Sequence, residues 1–97
     1  MTNLGHMYLE QRKEGGKMHE LGVLRNAVKT VAEVAEKNQI KQIKFITLEI
    51  GDCSTFVPAF FEKLYPAAID NMPLFEGSEL RLVTVPGKSL VIKEIGY

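Results

Sequence analysis

Residues 21–37, Leu21-Gly22-Val23-Leu24-Arg25-Asn26-Ala27-Val28-Lys29-Thr30-Val31-Ala32-Glu33-Val34-Ala35-Glu36-Lys37, set apolar side chains at 21, 24, 27, 28, 31, 34 and 35. Arg25, Lys29, Glu33, Glu36 and Lys37 fill the other face. Steps of three and four are the period of a helix that buries one stripe. The spacing predicts about four to five helical turns, closed at Lys37-Asn38, where Asn can take the left-handed position. Such a stripe needs an apolar surface to lie on. Ile43-Lys44-Phe45-Ile46-Thr47-Leu48-Glu49-Ile50 supplies one, because its β-branched and aromatic residues alternate, with Ile46, Leu48 and Ile50 on one side. It reads as a strand ending at Gly51-Asp52.

Ser54 or Thr55 is placed to cap a second helix with Pro58 in its first turn. Phe60, Phe61, Leu64, Tyr65, Ala68 and Ile69 give that helix an apolar face, while Pro66 should kink or split it. Two strands follow, Glu79 to Val85 and Ser89 to Ile95, and the short Pro86-Gly87-Lys88 link between them reads as an antiparallel hairpin. The order helix, strand, helix, strand, strand predicts an α+β (α/β) two-layer sandwich: a small three-stranded mixed sheet with two helices on one face. Residues 1–17 show neither period and end near Gly15-Gly16, so they are read as an N-terminal extension to a single domain spanning 18–97.

A chain of 97 residues fits one domain. Twelve basic residues against twelve acidic ones, dispersed rather than striped, argue against nucleic acid as a partner. A single cysteine, Cys53, rules out an internal disulfide or a thiolate zinc cage and points to a reducing cytoplasm. No histidine lies near Cys53 in sequence, so it reads as a turn residue rather than a nucleophile. No apolar run is long enough to span a membrane, and the N-terminus lacks a signal-peptide core. There is no phosphate loop, no Ser-His-Asp order and no carboxylate pair near a histidine, so no enzyme chemistry is expected.

One cluster carries chemistry: Met18-His19-Glu20, at the head of the first helix. When a histidine is second in a chain, the terminal amine, its own amide nitrogen and its Nδ1 close two chelate rings on one ion, and the next amide adds a fourth nitrogen. Four nitrogens in a plane suit Ni(II) or Cu(II) and disfavour tetrahedral Zn(II). The Glu20 carboxylate can orient the ring or stand as an axial oxygen. Read structurally, Glu20 is an acid in a first helical turn, Glu49 a solvated strand charge, and His6 an exposed histidine in the extension.

From Met18 onward the chain resembles the HypA-type family of hydrogenase nickel-incorporation metallochaperones. The resemblance rests on Met18-His19-Glu20-Leu21, Leu48-Glu49-Ile50-Gly51 followed by Val57-Pro58, Glu76-Gly77-Ser78-Glu79-Leu80, and Ser89-Leu90-Val91-Ile92-Lys93. It implies Ni(II) held at Met18, His19 and Glu20, and as partners a maturation GTPase and the hydrogenase large subunit. A homodimer stays open. Members of the family insert a zinc domain with paired C-x-x-C motifs between the last two strands. Here Val85-Pro86-Gly87-Lys88-Ser89 passes straight through, so no zinc site is expected.

The resemblance also makes Met18 the expected start and residues 1–17 a non-native leader. Lys13-Glu14-Gly15-Gly16 can be encoded by codons containing AAGGAGG, a ribosome-binding sequence just upstream of Met18. The alternative reading is a divergent paralogue acting as a metal-free protein-interaction module through the outer sheet face, with Phe45, Val83 and Val91 as its apolar patch.

Overall fold

The computed structural model describes residues 5–13 and 20–97. Its elements are β1 (His6–Lys13), α1 (Glu20–Lys37), β2 (Phe45–Gly51), α2 (Pro58–Ala68), a 3-10 turn at Pro73–Phe75, β3 (Glu79–Val85) and β4 (Leu90–Gly96). The α1 stripe packs as its spacing requires: Val23, Leu24, Ala27, Val28, Val31 and Ala35 are buried. They share one apolar cluster with Ile46, Leu48 and Ile50 of β2, Leu90, Ile92 and Ile95 of β4, and Phe61, Tyr65 and Ala68 of α2. Both helices therefore cover the same sheet face, which is the two-layer sandwich expected.

The sheet has four strands rather than three, in the order β1-β4-β2-β3. Residues 6–13, read from sequence as a patternless extension, form the added strand, antiparallel to β4. A short alternation was present there: Met7 and Leu9 are half-buried against the core, while His6 and Tyr8 are exposed. Two turns of the core face would not have revealed it, since polar and charged residues follow at once.

The expected hairpin between the last two strands does not form. β2 lies between them, parallel to β3 and antiparallel to β4. The Pro86–Ser89 link thus crosses over the end of β2 instead of turning back on its own neighbour. Gly51 N donates to Ser89 O (2.8 Å), Asp52 N to Val85 O (2.7 Å) and Cys53 N to Gly87 O (2.7 Å). Gly87 sits at φ +123°, a conformation side chains rarely allow.

Smaller differences have local causes. Helix α2 begins after Val57, not at Ser54 or Thr55, and Val57 provides no side-chain cap. Pro66 falls in the last turn, so the helix runs unsplit to Ala68. At the end of α1 the left-handed residue is Gln39 (φ 56°), one beyond Asn38. Gln39 N donates to Glu36 O (3.2 Å) and Ile40 N to Ala35 O (2.8 Å), the paired bonds of a Schellman closure. Since a side chain in this conformation costs roughly 1–2 kcal/mol, Gln39→Gly is expected to raise stability by about 1 kcal/mol in urea denaturation.

Candidate metal site at the head of the first helix

Glu20 is the first residue of α1, and Met18 and His19 lie outside the described residues. What fixes the neighbourhood is the Glu20 carboxylate, whose Oε2 accepts a hydrogen bond from Val57 N at 3.2 Å. Val57 is the residue before α2, a helix whose first amides have no capping side chain of their own. Glu20 supplies that acceptor from 37 positions upstream. The N-termini of α1 and α2 are thereby brought together.

That segment is held on both flanks. On one side Asp52 Oδ1 accepts from Gly87 N (3.2 Å). Internally Ser54 Oγ accepts from Phe56 N (3.4 Å), and the Phe56 ring packs on Phe61 with centroids 5.6 Å apart. Cys53 is exposed in this turn, and its thiol is pushed above the ordinary range by the hydrogen bond and charge of Asp52. It lacks the electropositive setting of a reactive thiolate, in keeping with a turn residue.

Both helix N-termini carry partial positive charge, on the order of +0.5 each. The Glu20 carboxylate lies between them.

His6 is not a further ligand. It sits at the opposite end of the sheet, where its Nε2 pairs with Glu94 and its ring meets Tyr8 edge-on with centroids 4.4 Å apart. Thr47 Oγ1 also donates to Glu94 (3.4 Å). Among the described residues no three His, Cys, Asp or Glu side chains converge as a metal cluster. Nor is any helix long and apolar enough to cross a membrane.

The outer sheet face is not a continuous apolar patch. Phe45 is only 9% exposed, with the Arg81 guanidinium 3.8 Å above its ring. Val91 is half-buried, and Val83 alone of the three is open, at 43%. Depressions in the surface lie elsewhere: one of about 500 Å³ is lined by Pro66, Ile69, Met72 and Glu76 at the far end of α2, and holds no histidine or cysteine.

The sequence signal that found Met18-His19-Glu20 gave no hint of the Glu20–Val57 bond. The one available clue was negative: a Pro-initiated helix preceded by Val has no cap at its own N-cap position.

Residues 18–90 match the family described as hydrogenase/urease nickel incorporation, metallochaperone, HypA. The hydrogenase maturation factor HypA of Trichodesmium erythraeum is 39% identical over 70 residues, covering 72% of this chain and 58% of that protein. Its counterpart from Methanocella arvoryzae is 32% identical over 69 residues, covering 71% and 60%. The chain thus spans about three fifths of the length of the curated relatives it matches. In structure it is similar to the solution structure of the Ni metallochaperone HypA from Helicobacter pylori, with a TM-score of 0.66 at 24% identity over 70% of this chain and 58% of that one. At that identity the likeness establishes the fold.

Proposed function

Since this chain belongs to the HypA family of hydrogenase/urease nickel-incorporation metallochaperones, we propose that it is a nickel-binding accessory protein, a carrier of Ni(II) to a nickel enzyme under assembly and not itself a catalyst. The ligands are Met18, His19 and Glu20. The observation that carries this reading is the Glu20 carboxylate bound to Val57 N. It anchors the head of α1 between two positive helix ends, where a planar set of amine, two deprotonated amides and the His19 imidazole leaves nickel with no net charge to repel. In this role Glu20 orients the segment and keeps its carboxylate off the metal plane.

The amine is available only when Met18 is the first residue, so residues 1–17 are read as leader and 18–97 as the nickel-binding domain. The ion is held openly enough to leave by ligand exchange when a partner offers more donors. The proposed partners are the maturation GTPase and the hydrogenase large subunit, in the cytoplasm. Nickel is the metal assigned, since the single Cys53 gives residues 1–97 no thiolate cage for zinc.

Nickel titration into four proteins tests the reading: the chain beginning at Met18, the same chain N-acetylated, its His19→Ala variant, and the full chain. The Met18 chain should bind one equivalent and turn yellow-orange, the colour of planar low-spin Ni(II). Acetylation isolates the amine from the loss of residues 1–17, and both it and His19→Ala should abolish the colour. Equal binding by all four would overturn the assignment.

A further inference from the structure

β1 lies wholly ahead of the family match, which spans residues 18–90, and pairs with β4. Apart from β1, β4 has β2 on one side and no strand on the other. A strand in that position carries a row of unpaired backbone donors and acceptors, ready to pair with another chain. β1 fills this edge and shows what it accepts.

Six register pairs join the two strands, from His6↔Gly96 to Lys13↔Leu90. Met7 and Leu9 reach the core while His6 and Tyr8 stay outside, Tyr8 at 65% exposure. Lys93 Nζ donates to the Glu10 carboxylate at 2.6 Å, Glu94 meets His6, and Tyr97 N donates to Gly5 O at 2.7 Å. The edge therefore selects an extended segment with two apolar residues at alternate positions, an acid immediately after them, and a hydrogen-bonding side chain ahead of them.

Several features make this occupant replaceable. It pairs with one strand only. Its register breaks between Tyr8 and Gln11, with Glu10 in the left-handed region at φ 49°, a strained setting for a residue with a side chain. Its Lys93–Glu10 pair is open to solvent, where ion pairs contribute little. Residues 14–19 tether it to α1, so it competes at an effective concentration of about millimolar rather than through tight contacts.

We propose that the outer edge of β4 is a peptide-docking site working by β-strand addition, which residues 6–13 occupy displaceably in the full chain and which the chain beginning at Met18 leaves open. The partner is a protein segment with the Met7-Tyr8-Leu9-Glu10 pattern: apolar, any, apolar, acidic. This inference is independent of nickel.

A fluorescein-labelled synthetic peptide of residues 5–13 provides the probe, read by anisotropy. In the full chain, Met7→Lys with Leu9→Lys removes both apolar anchors of the internal strand. The labelled peptide should bind this variant saturably and at least tenfold more tightly than it binds the unaltered full chain. A peptide carrying the same two lysines should bind neither. Circular dichroism establishes that the variant keeps its helices. A second protein avoids reliance on that variant: the full chain with a specific protease site at residues 14–17, folded first and then cut. Its released strand should exchange for the labelled peptide on dilution. Absence of binding to the folded variant, equal binding to both chains, or a cut strand that does not exchange would each overturn the proposal.

Discussion

Gly51→Ala is expected to lower the melting temperature by roughly 12–24 °C, the equivalent of about 3 kcal/mol in a domain of this size. The reason is topological. β3 and β4 flank β2, so the link between them has to pass across the end of β2, and Gly51 is where it passes. A Cβ on Gly51 would lie 2.6 Å from the Gly87 carbonyl carbon, 2.8 Å from Lys88 N and closer still to Gly87 O. These are backbone atoms, and no rotamer can move them aside.

Relief requires the crossing segment to lift. That weakens the bonds from Gly51, Asp52 and Cys53 to Ser89, Val85 and Gly87, each contributing about 1 kcal/mol. The same displacement propagates into the segment that holds Val57 under Glu20, so the head of α1 should loosen with it. Thermal unfolding followed by circular dichroism at matched concentration measures the first effect. A shift below 3 °C would mean that the crossing is less tightly packed than its hydrogen bonds indicate.

The parts of the fold legible in the sequence were those set by a period. The α1 stripe and the alternation of Ile46, Leu48 and Ile50 face the core as their periods require, with Leu21 and Val34 half-buried at the stripe's margin, whereas the α2 face is buried only at Phe61, Tyr65 and Ala68, Phe60 being 50% exposed. What escaped was decided by which strands lie side by side. The four-residue Pro86–Ser89 link is as short as a hairpin turn, and nothing in it records that β2 stands between the strands it joins.

β1 escaped for a related reason: two apolar residues gain their meaning from an edge that exists only once β4 has been placed. Boundaries were off by a residue or a few where caps were supplied from elsewhere, as at Val57, or where Gln39 rather than Asn38 took the strained position. The proposed site rests on sequence chemistry alone, Met18-His19-Glu20 at the head of α1. Its surroundings were not legible in the sequence, because the bond from Val57 to Glu20 joins residues far apart in the chain and follows no local pattern.

Nickel affinity of the chain beginning at Met18 should fall steeply with acid, and much more steeply than that of the full chain. Two amide protons leave when the planar set forms, so affinity falls about a hundredfold for each pH unit from this source alone. Below about pH 8 the amine must also lose a proton, and below about 6.5 the imidazole as well. Between pH 8 and 6 the loss should therefore exceed about four decades. In the full chain the residue-18 nitrogen is an amide and offers no anchor from which the neighbouring amides could be deprotonated. Its binding reduces to the imidazole, flat above about pH 6.5 and falling about tenfold per unit below. Competition against a nickel-buffering chelator at several pH values, with proton release recorded in weakly buffered solution, separates the two. Release of at least two protons per nickel from the Met18 chain, against one or fewer from the full chain, is the expected result. A common shallow slope would show that the imidazole acts alone in both, and would remove the amine and the amides from the coordination plane.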